Sequence, residues 1–396
     1  MTESRLALSN PINDTAGPYR VMVCDDSAVI RGLISRDLEA DPEIRVVTTV
    51  SNGQLAINAL SRFPVEVLIL DIEMPVMDGL TALPELIKAQ PDLQIIMAST
   101  LTRRNADISM RALAAGAADY LAKPTTTMAL NAAAEFKLEL ATKVKALGAA
   151  RRRAAGLRSP GRRAETPAPT RGGDVQAPPR PTFRPTVAAG AKGPLTLRPP
   201  PTDIPEIVAI GSSTGGPQAL FSVLGALKPG IKQPIVITQH MPATFTTILA
   251  EHIARASGMP TVEGVDGMPL QGGHVYVAPG DFHLTVEAQG AQRVIRLLKT
   301  PQENYCRPSV DPMLRSLVKV YGRKVFAVIL TGMGQDGLRG GEGLIAAGGS
   351  LIAQDEASSV VWGMPGAVAM AGLCSAVISL KEIPAYIRKV AMRAAS

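Results

Sequence analysis

The chain has few cysteines, few aromatics and no long apolar run, and each scarcity narrows what it can be. Its three cysteines, Cys24, Cys306 and Cys374, are far apart, odd in number and without C-x-x-C spacing, so neither a disulfide framework nor a zinc site is indicated. Each reads as a small buried hydrophobe. No stretch reaches the ~18 consecutive apolar residues of a membrane-spanning helix, and the polar start Met1-Thr2-Glu3-Ser4-Arg5 does not open a signal peptide. A cytoplasmic protein that is not membrane-inserted is expected. Only 4% of the residues are aromatic, but 46% are apolar and 19% charged, which is the balance of an ordinary globular protein.

What is abundant is glycine, proline and positive charge. At 396 residues the chain is too long for one core, and two folded units are expected. The net charge of +7 invites a nucleic-acid reading, but its distribution opposes it. Between residues 150 and 202 there are ten Arg and one Lys against only Glu165 and Asp174, so the rest of the chain is slightly acidic and no nucleic-acid partner is expected. That basic stretch is also rich in Pro, including Pro178-Pro179 and Pro199-Pro200-Pro201. It reads as an extended, solvated tether over 148–203, because it has too little apolar surface to offset its ordering entropy.

On either side of the tether, short apolar runs alternate with helical periodicity. The first unit, over 19–147, shows strands near 21–24, 46–50, 65–70, 94–98 and 120–122, with helices between them and a closing helix over 131–146. Five nearly continuous apolar strands separated by helices describe a parallel sheet covered on both faces. The second unit, over 204–394, shows strands near 206–210, 234–239, 274–278, 324–330 and 350–353, interrupted by a hairpin over 283–286 and 293–297. It reads as a second doubly wound, mostly parallel α/β domain.

In an open parallel sheet the carboxyl ends of the strands lie side by side. In the first unit those ends carry Asp25 and Asp26, Asp71, Ser99 and Thr100, and Lys123. Three carboxylates brought together repel unless a cation neutralises them, and an all-oxygen donor set suits Mg²⁺. With a Lys and a hydroxyl added, the pocket suits phosphoryl transfer onto one carboxylate. These residues, with Leu70-Asp71-Ile72-Glu73-Met74-Pro75, resemble a response-regulator receiver domain, a five-stranded flavodoxin-like fold. The resemblance implies Asp71 as phosphoacceptor, Asp25, Asp26 and Asp71 around Mg²⁺, and Ser99, Lys123 and Tyr120 as the switch residues. It also implies a histidine kinase as phosphoryl donor.

In the second unit the strand Glu206 to Ile210 runs into Gly211-Ser212-Ser213-Thr214-Gly215-Gly216, and Pro217 opens a helix. Gly211-x-Ser213-x-Gly215 fits a sharp strand-to-helix turn that exposes a serine hydroxyl above the sheet. Of the four histidines, His240 ends the next strand and reaches the same edge. A third member should be a strand-end carboxylate. Asp336, in Thr331-Gly332-Met333-Gly334-Gln335-Asp336-Gly337, and Asp355 both qualify, and capping of the following helix is the alternative role for Asp336.

The segments 209–217, Gln239-His240-Met241-Pro242, Tyr276-Val277-Ala278-Pro279-Gly280, Arg307-Pro308-Ser309-Val310-Asp311 and 330–337 together resemble the catalytic domain of chemotaxis protein-glutamate methylesterases. The resemblance implies Ser213 as nucleophile, His240 as base, Asp336 as orienting acid, and the backbone N–H of Met333 as oxyanion donor with Thr214 in support. It implies hydrolysis of γ-glutamyl methyl esters on methyl-accepting chemotaxis receptors, deamidation of receptor glutamines, and no cofactor for the esterase chemistry. Two other readings are weaker. A DNA-binding output finds no helix-turn-helix pattern, and a nucleotide cradle at 211–216 lacks the P-loop lysine and the G-x-G-x-x-G spacing.

Overall fold

The computed structural model describes residues 17–100, 102–123, 130–156, 195–227 and 230–392. Residues 1–16 and most of the expected tether, 157–194, lie outside the described residues.

The N-terminal domain runs β1 (Tyr19–Cys24), α1 (Ala28–Glu39), β2 (Ile44–Val50), α2 (Gly53–Leu60), β3 (Val67–Asp71), α3 (Gly79–Ala89), β4 (Gln94–Ser99), α4 (Arg103–Ala114), β5 (Asp119–Ala122) and α5 (Leu130–Ala154). Its strands form one parallel sheet in the order β2-β1-β3-β4-β5, the flavodoxin-like arrangement. The central strand β3 is buried at every residue, which is why its sequence is continuously apolar rather than alternating. Local chemistry fixes where the helices start. Ser27, Asn52, Asp78 and Thr102 each cap a helix, their side chains accepting from the N–H of Ile30, Leu55, Thr81 and Asn105.

The C-terminal domain runs β6 (Ile207–Ser212), α6 (Gly216–Leu227), β7 (Ile235–Gln239), α7 (Ala243–Ser257), β8 (Thr261–Glu263), β9 (Val275–Val277), a hairpin of β10 (His283–Gln289) and β11 (Gln292–Leu298), α8 (Val310–Tyr321), β12 (Val325–Ile329), α9 (Leu338–Ala346), β13 (Ser350–Gln354), α10 (Met364–Met370), β14 (Ala376–Ile378) and α11 (Ile383–Ala391). Seven strands, all parallel, are ordered β14-β13-β12-β6-β7-β9-β8. The sheet is therefore wider than the five strands expected. The edge strands β8 and β14 have only three residues each and are partly exposed, so they lack the long apolar run that marked the others.

The two domains share one continuous apolar cluster, which passes from Leu70 and Tyr120 through Phe245 to Ile237. Helix α5 also runs beyond the expected start of the tether at 148, through Arg151, Arg152 and Arg153. The reason is a buried acid. Glu66 is fully buried and accepts from Arg152 Nε at 2.6 Å, Arg152 Nη2 at 2.7 Å and the Arg20 backbone N–H at 3.0 Å. Burial opposes the charge of this carboxyl, yet Arg152 and Arg20 hold it below the usual carboxylate range. Glu66→Ala removes the carboxylate that the buried guanidinium of Arg152 grips, and should cost the N-terminal domain about 3 kcal/mol. Urea unfolding followed by circular dichroism reads this as a lowered midpoint of the N-terminal transition.

Candidate active site and phosphoacceptor pocket

At the centre of the seven-stranded sheet, β6 and β12 are neighbours whose onward connections run in opposite directions, toward β7 and toward β13. Their carboxyl ends border the crevice where the strand order reverses, the usual ligand position in open α/β sheets. Ser213 follows β6 and His240 follows β7. Ser212 and Gln239 are register partners, and the His240 N–H donates to Ser212 O at 3.1 Å. Gln239 ties the two strand ends further: its Nε2 donates to Ser213 O at 2.9 Å and to His240 O at 3.1 Å, and its Oε1 accepts from Ser212 Oγ at 2.6 Å.

The loop after β12 is held against this pair on several sides. Ser213 N–H donates to Thr331 O at 3.0 Å, Thr331 Oγ1 donates to Thr214 O at 3.0 Å, and Thr331 N–H donates to the buried Gln354 side chain at 2.8 Å. The approach needs glycine. A Cβ on Gly332 would stand 2.9 Å from the Ser213 Cβ, and one on Gly216 would stand 2.0 Å from Gln239 Oε1. The left-handed residue of the turn after β6 is Gly215, at φ 73°, so the sharp turn is made two residues beyond the serine. Among the described residues the backbone N–H groups of Met333 and Thr214 are taken by no protein hydrogen bond, which leaves them free for a developing oxyanion.

Asp336 is 1% exposed, and its Oδ2 lies 2.7 Å from His240 Nε2. Because a carboxylate only accepts, Nε2 carries the proton and Nδ1 is the basic nitrogen. The same carboxylate accepts from Val310 N at 2.6 Å, Ser309 Oγ at 2.8 Å, Asn304 Nδ2 at 2.9 Å, Gly337 N at 3.0 Å and Asp311 N at 3.1 Å. It thus caps α8 as well as standing at the start of its own helix α9. Asp311 returns the arrangement, accepting from Gly337 N at 3.0 Å and Gly340 N at 2.7 Å at the start of α9. Burial raises Asp336, but the hydrogen bond and charge of His240 and the donors at the α8 terminus outweigh it and hold the carboxyl below its usual range. Asp355 is used locally, accepting from the N–H and hydroxyl of Ser358.

Cys306 departs from the sequence reading of a buried hydrophobe. It is half-buried, and its Sγ lies 3.3 Å from His240 Nδ1. Cys24 and Cys374 are buried as expected, and burial pushes both thiols up to about 12. Burial disfavours the imidazolium of His240, but Cys306 and Asp336 overcome that and raise it to about 10. Among the described residues no hydrogen bond joins the Ser213 hydroxyl to the imidazole. The structure therefore joins His240 to Asp336 and to Cys306, and sets Ser213 half-buried at the adjoining strand end. His283 has a supporting place. Its Nε2–H donates to Pro301 O at 3.0 Å and its Nδ1 accepts from Ser309 N at 3.2 Å, bracing the segment that carries Cys306.

In the N-terminal domain Lys123 Nζ lies 2.6 Å from Asp71 Oδ1 and 2.7 Å from Asp25 Oδ2. Oxygens of Asp25, Asp26 and Asp71 fall within 4.8 Å of one another. One ammonium leaves this trio of carboxylates with excess negative charge, and burial, with Asp25 adding to it, pushes Asp71 up to about 6 despite Lys123. A hard divalent cation with oxygen preference such as Mg²⁺ fits that donor set. The buried hydroxyl of Ser99 pairs with that of Ser109 of α4 at 3.2 Å. Tyr120 is buried against the C-terminal domain, stacked on Phe245 of α7 with centroids 4.6 Å apart.

Sheet order, acidic pocket and the strand-end Ser, His and Asp define a class: a receiver domain joined to a parallel α/β hydrolase domain. Comparison with known proteins agrees. The "Response regulator receiver domain" model matches residues 21–135 and the "CheB methylesterase" model matches 208–387. The protein-glutamate methylesterase/protein-glutamine glutaminase of Azospirillum brasilense is 61% identical, over 96% of this chain and 94% of that protein. That of the group 2 operon of Rhodospirillum centenum is 58% identical, over 99% of this chain and 98% of that protein. The chain belongs to the protein-glutamate methylesterase/protein-glutamine glutaminase family.

Asp336→Asn keeps an acceptor for the α8 terminus but removes the charge that fixes and stabilises the His240 imidazolium. It should lower kcat on the order of a thousandfold or more with a native circular dichroism spectrum, measured by methanol release from methylated receptor.

Proposed function

We propose that the chain removes methyl groups from γ-glutamyl esters of methyl-accepting chemotaxis receptors, hydrolyses receptor glutamine amides at the same site, and is restrained by its receiver until Asp71 is phosphorylated by a histidine kinase. The observation that carries the reading is the buried His240–Asp336 pair at 2.7 Å, one strand from the half-buried Ser213 in a chain of this family. Ser213 Oγ attacks the γ-carbonyl while His240 Nδ1 takes its proton. The tetrahedral oxyanion is held by the N–H groups of Met333 and Thr214. The imidazolium then protonates the leaving methanol, or ammonia from a glutamine. Water, activated by the same nitrogen, releases glutamate and restores the hydroxyl. Ester and amide need the same groups, because both pass through an oxyanion and an acyl-serine.

In the receiver, Asp25, Asp26 and Asp71 would hold Mg²⁺, which neutralises phosphoryl oxygens when bound. Asp71 is the acceptor, and Lys123 stands ready to pair with the transferred group. Restraint is supported by the contacts between the domains. Helix α4 meets α6 and α7 through Gln218 Nε2 to Leu113 O at 3.1 Å, Arg103 to Glu251 at 3.2 Å and His252 to Asp107 at 3.0 Å. Helix α7, which carries Phe245 against Tyr120, begins three residues after His240. Movement of Ser99 and Tyr120 on phosphorylation would therefore reach the surface that packs beside the crevice. No helix among the described residues is long and apolar enough to cross a membrane.

Ser213→Ala should abolish methanol release, by about a thousandfold or more, with the fold intact; normal turnover by that variant would remove the acyl-serine. Charged contacts at such a surface contribute about 0.2–1 kcal/mol each, so the double variant Arg103→Ala, Asp107→Ala should raise the unphosphorylated rate by roughly two- to thirtyfold. An unchanged basal rate in that variant, with normal activation by phosphorylation, would count against restraint by this surface.

A further inference from the structure

We infer that Cys306 is a positioning residue for the esterase: its sulfur holds the basic nitrogen of His240 in the resting enzyme, and turnover requires that nitrogen to pass from the sulfur to the Ser213 hydroxyl. The inference rests on the reading of His240 as the base for Ser213 and names a group that neither the sequence motifs nor that reading assigns.

Four observations lead to it. Asp336 occupies Nε2, so Nδ1 is the nitrogen left for proton transfer. Cys306 Sγ stands 3.3 Å from Nδ1, within hydrogen-bond reach for sulfur, whereas no hydrogen bond links that nitrogen to the Ser213 hydroxyl among the described residues. The sulfur is held firmly in place. Residues 303–306 form a tight turn closed by paired backbone bonds between Glu303 and Cys306 at 2.9 and 3.1 Å, with Asn304 and Tyr305 both left-handed at φ 53° and 62°. Asn304 Nδ2 then anchors the turn on Asp311 and Asp336, 2.9 Å from each. One buried carboxylate thus fixes both the imidazole and the turn that presents the thiol to it.

The proton balance is closed within the site. In the resting enzyme one proton is shared between Cys306 Sγ and His240 Nδ1 across their 3.3 Å contact, and no external acid or base is consumed. For catalysis the proton returns to sulfur, the Nδ1 lone pair is released, and Ser213 O–H takes the place of the thiol. The charged and titratable groups around His240 are Cys306 from the 303–306 turn, Asp336 from the loop before α9, and Asp311 in α8 behind Asp336. Arg315 of α8 is engaged by Glu303 at 2.5 Å. Of these, Cys306 and Asp336 raise the imidazole above its ordinary range, against its burial. Removing the sulfur therefore lowers the pH at which His240 becomes a free base.

The decisive measurement is the pH profile of kcat/KM for methanol release, which reports groups in the free enzyme. Cys306→Ala should move the acid limb to lower pH by about one unit or more, with about a tenfold rise at pH values on that limb for each unit moved. An acid limb at the same pH in variant and wild type would overturn the inference. A second measurement needs no turnover. Cys24 and Cys374 are fully buried, so iodoacetamide reads Cys306 in the folded protein. Alkylation in neutral buffer should be several-fold slower in His240→Gln than in wild type, and identical pH profiles for the two proteins would also overturn it. The alkylation comparison stands even if Ser213→Ala were to retain activity, so failure of the esterase reading and failure of this inference give different results.

Discussion

A carboxylate stripped of water where two helices begin sets the geometry of the esterase half. Asp336 is affordable as a buried anion only because the N-terminus of α8 turns its N–H groups toward it, with Ser309, Asn304 and His240 completing the donors. Hydrogen bonds to a charged group are worth about 1.5–3 kcal/mol each, and several together offset the desolvation of one carboxylate. Asp311 does the same for α9. Because each acid sits at the start of one helix and stabilises the other, α8 and α9 are locked in relative position. The imidazole inherits that rigidity through a single short bond.

The regulatory half reaches the same point by packing. Its sheet ends in a carboxylate pocket where Lys123 pairs with Asp71 and Asp25, while the Ser99 hydroxyl pairs with Ser109. Tyr120 lies between that pocket and α7, and Lys143 Nζ stands 4.8 Å from its ring centroid while donating to its backbone oxygen at 2.6 Å. A buried ammonium on an aromatic face favours one ring position strongly. The aromatic therefore has a defined resting place, on Phe245, rather than a range of orientations.

Much of this was legible in the sequence because parallel sheets write themselves plainly. The strands that carry chemistry, β1, β3, β6, β7 and β12, are mostly apolar runs, and each ends in or soon runs on into polar residues at the crevice. Edge strands β8 and β14 were missed for the opposite reason: three residues facing partly to solvent carry no periodicity. The end of α5 was read too early, since Arg151 to Arg153 look like a solvated charge run until Glu66, 86 residues before Arg152, is seen to claim that side chain. Cys306 was read as inert because spacing between cysteines says nothing of an imidazole 66 residues away. Its one local signal was its place beside Arg307-Pro308-Ser309, a segment already tied to the catalytic resemblance.

The floor of the crevice has a consequence for chemical probes. Around Ser213 the packing is close, since Gly332 and Gly216 are buried where a Cβ would collide with Met364, Ser213 and Gln239. A small covalent inhibitor aimed at the hydroxyl would have little room to extend past these buried glycines. Selectivity has to be found at the turn beside Cys306, where the Tyr305 side chain stands 94% exposed and open to a bulkier molecule.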